Sequence, residues 1–244
     1  MVRIINFIFA KIFFFFLVTS VVIAETNEEN QKKSELSKII VFGGTRGTGL
    51  EIIKILSERG DNVTAFVRPS SNVESLEELG IKLLIGDAMN PSSVSSALSS
   101  DNFTGVISSL GSRRGKGRVD DIGTINVANA TLASNIKRLL MVSSIGAGDS
   151  IKAIPFYVRW ILGESLERKT TAEIYIQSTD LDYTIIRPGG LEDGPATGTG
   201  FLTEDQDAFI FTRIPRAEVA SLLVEALDSP DSSRKIYHAL PYQE

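Results

Sequence analysis

The most specific chemistry in this chain lies in seven residues, Gly43-Gly44-Thr45-Arg46-Gly47-Thr48-Gly49. The run before them, Lys38–Phe42, is short and apolar and suits a buried parallel strand. Leu50–Leu56 after them has helical spacing. At such a junction the glycines do different things. Gly43 permits a tight turn, Gly47 lets a ligand approach the backbone, and Gly49 lets the helix pack closely on the sheet. The start of the helix then offers free amides and a positive dipole end to an anion. Strand, glycine loop and helix in that order fit the diphosphate of a dinucleotide.

The next strand indicates which dinucleotide. Asn62–Val67 reads as the second strand, and Arg68 follows it. An NAD site places Asp or Glu at that end to hold the ribose 2′-hydroxyl, whereas a guanidinium suits a 2′-phosphate. The expected cofactor is therefore NADP(H). A further cationic stretch, Gly111–Arg118, follows the fourth strand. It reads either as a flexible solvated loop or as a face toward an anionic substrate or the cofactor phosphates.

The spacing Gly-x3-Gly-x-Gly resembles the nucleotide loop of the short-chain dehydrogenases/reductases, and the resemblance spans nearly all of residues 38–239. Ile81–Gly86 followed by Asp87 resembles the family's third strand and the acid that meets the adenine. Leu140-Met141-Val142-Ser143-Ser144 resembles the fifth strand with its catalytic serine. Asp182–Leu191 resembles the sixth strand of the atypical branch, which includes NmrA-like and biliverdin-reductase-B-like proteins. The resemblance implies that Gly43, Thr45, Arg46, Gly47, Thr48, Gly49, Arg68, Asp87 and Pro188 bind the cofactor. In it, Arg46 joins Arg68 on the 2′-phosphate. Pro188-Gly189-Gly190 lets the backbone approach the nicotinamide, and Ser143 or Ser144 acts with Lys169.

One expected residue is missing. The family's chemistry uses a Tyr four residues before the Lys, which lowers the Tyr pKa so that it can pass a proton to the substrate. Lys169-Thr170-Thr171-Ala172-Glu173 resembles the run containing that Lys, but position 165 is Ser. Tyr157 has Ile161 four residues later and does not restore the motif. Three readings follow: a reductase that takes its proton from solvent, a site that recruits Tyr157, Tyr175 or Tyr183, or a protein that binds NADP(H) without turning it over. An NADP(H)-dependent oxidoreductase acting on a small molecule is the leading reading. A non-catalytic NADP(H) sensor or scaffold is the alternative, and an isomerase or epimerase the weaker third.

The elements that must position these residues alternate. Beyond the first two strands come Ile81–Ile85, Gly105–Ser108, Arg138–Val142, Tyr183–Ile186 and Lys235–Ala239. Helical stretches separate them: Val73–Leu79, Pro91–Leu98, Val119–Ala133, Ile154–Ser178 and Ala217–Leu227. This pattern predicts an α/β doubly wound parallel sheet of Rossmann type, a single domain over 38–244 with a small C-terminal substrate lobe. Gly189–Asp205, rich in Gly and Thr, is expected to be a substrate-side loop.

Composition removes other chemistries. Among 244 residues there is no Cys and one His, so thiol catalysis, disulfides and Cys/His metal clusters are excluded, and no metal site is expected. A formal charge of −5 argues against nucleic acid. His238, in the last strand, reads as structural.

Met1–Ala24 has the layout of a secretory signal: Arg3 and Lys11, an apolar stretch, and a small-residue exit. Cleavage would move the formal charge from −5 to −7, because this segment holds two cations and no acid. Residues 25–37 read as a polar linker. The expected destination is export or an organelle lumen; the alternative is a retained anchor, in which case the partner is a membrane. Oligomeric state is not encoded in any recognisable pattern.

Overall fold

The computed structural model describes residues 37–112, 117–208 and 213–242. The expected leader and most of the expected linker, like Arg113–Lys116 of the cationic stretch, lie outside the described residues.

Eight strands form the main sheet. They are β1 (Lys38–Phe42), β2 (Asn62–Val67), β3 (Lys82–Ile85), β4 (Gly105–Ser108), β5 (Arg138–Val142), β6 (Asp182–Pro188), β8 (Phe201–Thr203) and β10 (Lys235–Leu240). Their order is β3-β2-β1-β4-β5-β6-β10-β8. All neighbours are parallel except β8, which runs antiparallel to β10 along the edge. The helices are α1 (Gly47–Glu58), α2 (Glu74–Glu78), α3 (Pro91–Leu98), α4 (Thr124–Ala133), α5 (Phe156–Gln177) and α6 (Arg216–Asp228).

Strand β1 shows why the sheet is covered on both faces. Its side chains alternate. Ile39 and Val41 point into a core shared with Ile52, Ile53 and Leu56 of α1 and Val219, Leu222 and Leu223 of α6. Ile40 and Phe42 point the other way, to Val94 and Leu98 of α3, Val127 of α4 and Ile176 of α5. An apolar run without polar alternation is what a strand buried on both sides requires. Each such side chain contributes about 1.5–3 kcal/mol of burial. The doubly wound parallel sheet expected from the sequence is therefore present.

Two local readings change. The stretch Val119–Ala133 is not one regular helix: Val119–Gly123 forms a π turn before α4 begins. The segment Gly189–Asp205 is not simply a loop. It contains β7 (Gly190–Glu192) and β8, and β7 pairs in parallel with β9 (Arg213–Pro215). Both strands are three residues long, too short for a periodicity to be read from sequence.

The sheet order reverses at β1, which has β2 on one side and β4 on the other. The chain leaves β1 toward β2 on one side and leaves β4 toward β5 on the other, and such a switch point is the usual ligand position in open α/β sheets.

Candidate dinucleotide-binding site

The glycine loop is shaped by contact with its neighbours. Gly43 has φ +85°, and a β-carbon on it would lie 2.4 Å from the carbonyl oxygen of Ser109, in the loop after β4. A β-carbon on Gly49 would lie 2.2 Å from the carbonyl oxygen of Gly43. Only glycine fits either place, so the turn, the helix start and the β4 loop are locked together. Arg46 precedes α1 in an extended conformation and makes no side-chain cap. The first amides of α1 thus lack a capping side chain, which suits a bound anion.

A cleft of about 790 Å³ opens beside this loop, within the range of small-molecule and cofactor sites. Its walls include Gly43, Thr45 and Arg46 from the glycine loop and Phe66–Arg68 from the end of β2. Asp87 lies after β3, and Ser109–Ser112 after β4. Both predicted guanidiniums therefore face one space. Arg46, Arg68 and Asp87 are all exposed. Asp87 is not the cap of α3. Asn90 caps it, accepting the amides of Ser92 and Ser93 at 3.0 and 3.3 Å. Asp87 instead accepts the Met89 amide at 2.9 Å and keeps its carboxylate at the cleft wall. Thr48 and Gly49 are buried in the first turn of α1.

The two candidate serines differ in position. Ser143 is 4% exposed, and its hydroxyl donates to the Glu173 carboxylate. Glu173 also accepts two bonds from Arg187, Nη2 at 2.6 Å and Nε at 3.2 Å. Arg187 in turn donates to Asp149 at 2.6 Å and to Gln206 at 2.5 Å. Burial alone would disfavour the Arg187 charge, but the bonds to Glu173 and Asp149 outweigh it and raise the pKa. Ser143 is thus part of a buried ionic network. Ser144 is half-buried and donates only to the carbonyl of Ile145, at 3.1 Å. The strand extension runs alongside Pro188: the Ile145 amide donates to the Pro188 carbonyl at 2.9 Å. Ser144 and Pro188 therefore share one edge of the sheet.

Lys169 is not on a solvated face. Its side chain is 12% exposed, and Nζ donates to the Val142 carbonyl at 3.2 Å. Nζ also lies 3.7 Å from Oδ1 of Asp120. Burial lowers the Lys169 pKa, partly opposed by Asp120 and Glu173. Asp120 is not singled out by its sequence context, where Val119-Asp120-Asp121 reads as an ordinary polar helix start. It is 1% exposed, and its other oxygen accepts the amide of Ser112 at 3.0 Å and the Ser112 hydroxyl. Asp120 thus joins Lys169 to a wall of the cleft.

Two of the alternative tyrosines are engaged elsewhere. The Tyr175 hydroxyl donates to Asn129 on α4. Tyr183 is buried at the amino end of β6, with the Arg234 guanidinium 5.2 Å above its ring. Tyr157 stands half-exposed in the first turn of α5. Among the described residues, no tyrosine lines the cleft.

The profile of the NAD(P)H-binding family matches residues 43–230, from the first glycine of the loop to the turn before β10. The chain belongs to this family. It is 31% identical over 233 residues to an uncharacterized chloroplastic protein of Arabidopsis thaliana, covering 91% of this chain and 82% of that one. It is 24% identical over 208 residues to an NAD(P)H azoreductase of Xenophilus azovorans, covering 82% of this chain and 66% of that one. Among solved structures it is similar to ChuY, an anaerobillin reductase from Escherichia coli O157:H7. That match has a TM-score of 0.76, 27% identity, and coverage of 85% of this chain and 98% of the other. The fold and the glycine loop are thus those of an NAD(P)H-binding, oxidoreductase-like protein, and the cleft fits the group the family binds.

Proposed function

We propose that the protein is an NADP(H)-dependent oxidoreductase acting on a small molecule. The observation that carries this is the pairing of Arg46 and Arg68 on one cleft, with no acid at the end of β2. Two guanidiniums on one phosphate give charge-assisted, fork-shaped binding. Gly43, Thr45, Gly47, Thr48 and Gly49 form the diphosphate cradle, and Asp87 faces the adenine. Pro188 and Ser144 border the nicotinamide end.

When bound, the cofactor supplies the hydride; the chain orients it and shields it from water. Ser144 is the more accessible serine for a substrate oxygen, its hydroxyl held only by the Ile145 carbonyl at 3.1 Å, whereas Ser143 is buried and committed to Glu173. Lys169 holds a proton at Nζ beneath this end, made more acidic by burial. The position four residues before Lys169 holds Ser165 rather than Tyr, and on this reading the proton that completes reduction comes from solvent. That limits the substrate to one whose reduction needs no strong acid at the reacting atom, such as a flavin, a quinone or an extended conjugated system. The reductases among the relatives and neighbours support this class.

The alternative is a non-catalytic NADP(H) sensor. The Ser at position 165 and the buried Ser143 favour it. NADPH oxidation measured against flavins, quinones and aldehydes separates the two. Steady turnover with a flavin or quinone supports the enzyme. Tight binding without turnover across the panel supports the sensor. The leader-like Met1–Ala24, together with a chloroplastic relative, supports export or an organelle lumen as the destination, with a retained membrane anchor as the alternative.

A further inference from the structure

The cleft beside the glycine loop accounts for one half of a dinucleotide. Its walls come from the end of β2 and the loops after β1, β3 and β4, with Arg46, Arg68 and Asp87 among them. Ser144 and Pro188 lie beyond β4, at the ends of β5 and β6. A cofactor joining the two must cross the start of α1, and its diphosphate must lie at the crossing.

Arg216 already reaches that place from a different element. It is the first residue of α6, immediately after β9. A β-carbon built on Gly47 would lie 3.5 Å from both Cδ and Nε of Arg216. The side chain therefore lies against Gly47, the loop glycine at which a ligand approaches the backbone. Its present partner is an exposed one. Nη1 donates at 2.6 Å to Asp193, whose side chain is 93% exposed. An ion pair with so exposed a carboxylate is worth little. A diphosphate over the amides of α1 is a stronger partner for the same fork.

We propose that Arg216 is a third cofactor-binding cation, specific for the diphosphate, and that it changes partner from Asp193 when a dinucleotide binds. This rests on the dinucleotide reading above. Asp193 directly follows β7, in the segment that leads from Pro188. The exchange would therefore release a carboxylate on the substrate side as the cofactor seats, so cofactor would bind before substrate. The position of Arg216 fits this role. Glu218, in the first turn of α6, accepts the amides of Thr197, Gly198 and Gly200, so α6 and this segment are already joined.

Calorimetric titration of the full-length chain with NADPH, NADH and 2′-AMP tests it. Arg216→Ala should weaken NADPH and NADH alike by at least about tenfold and leave 2′-AMP, which lacks a diphosphate, unchanged. Arg68→Ala should weaken NADPH and 2′-AMP but not NADH. Asp193→Asn should tighten both dinucleotides by a few-fold. An Arg216→Ala protein with wild-type melting temperature and unchanged dinucleotide affinity overturns the proposal while leaving the dinucleotide reading intact. Equal loss for 2′-AMP also overturns it. A wild-type chain that binds none of the three overturns both.

Discussion

The ammonium of Lys169 on α5 lies 3.7 Å from the carboxylate of Asp120, whose second oxygen holds the amide and hydroxyl of Ser112 at the cleft wall. One buried acid thus links the candidate catalytic lysine to the loop that closes the cofactor cleft. Asp120 favours the charged form of Lys169, and burial disfavours it with the larger effect.

Asp120→Asn should lower the Lys169 pKa further, because the anion opposing desolvation is gone. The alkaline limb of any pH–activity profile that depends on the ammonium should move to lower pH. The substitution should also cost about 1.5–3 kcal/mol, the range for hydrogen bonds to charged groups. Chemical denaturation with a pH series checks both. An unmoved pH limb with the stability loss present would leave Asp120 a purely structural residue.

Lys169 itself contributes to the pH dependence of stability. Its folded pKa is lowered from 10.5, so the folded chain binds that proton more weakly than the unfolded one. Stability from this group therefore rises as pH increases through the folded pKa, and levels off near the unfolded value. Lys169→Met should flatten that alkaline rise in a urea series.

Gly43→Ala tests the turn. The residue has φ +85°, and the new methyl would meet a backbone oxygen at 2.4 Å, which a side-chain shift cannot relieve. The backbone conformation alone costs about 1–3 kcal/mol. For a chain of this size a fall in Tm of at least about 3 °C is expected, together with loss of dinucleotide binding. Gly60→Ala is the control: that glycine also has positive φ, but nothing lies within 4 Å of the added carbon. It should lose some stability and keep binding.

Glu218 holds the segment after β7. Desolvation opposes its charge, but bonds from Gly198, Gly200 and Thr197 outweigh it and lower the pKa below 4.5. Its contribution is complete above the unfolded pKa and is lost as pH falls through the folded one. Amide exchange at Thr197, Gly198 and Gly200 should be slow at neutral pH, and its protection relative to the intrinsic exchange rate should be lost in acid. In Glu218→Gln it should be at least about tenfold faster at neutral pH. Unchanged exchange in that variant would mean the segment is held by something else.

How far these features are legible in the sequence depends on how local their cause is. Gly43 and Gly49 announce themselves, because a glycine forced by a backbone contact sits at a fixed place between strand and helix. The boundaries of β2, β4 and β5 follow from apolar runs ended by polar residues. The strands β7, β8 and β9 are not legible, because three residues carry no period and their pairing is non-local. The roles of Ser143 and Ser144 are indistinguishable as neighbours in sequence. What separates them is Glu173, thirty residues away, brought beneath Ser143 by α5 and held there by Arg187. Asp120 is hidden for the same reason: its partner Lys169 is supplied by another helix.

The proposed preference for NADP(H) rests on Arg46 and Arg68, and titration of the full-length chain with NADPH and NADH decides it. NADPH should bind at least about tenfold more tightly, and Arg68→Asp should reverse the preference. Equal affinity for the two cofactors, or an Arg68→Asp protein that still prefers NADPH, would contradict the assignment.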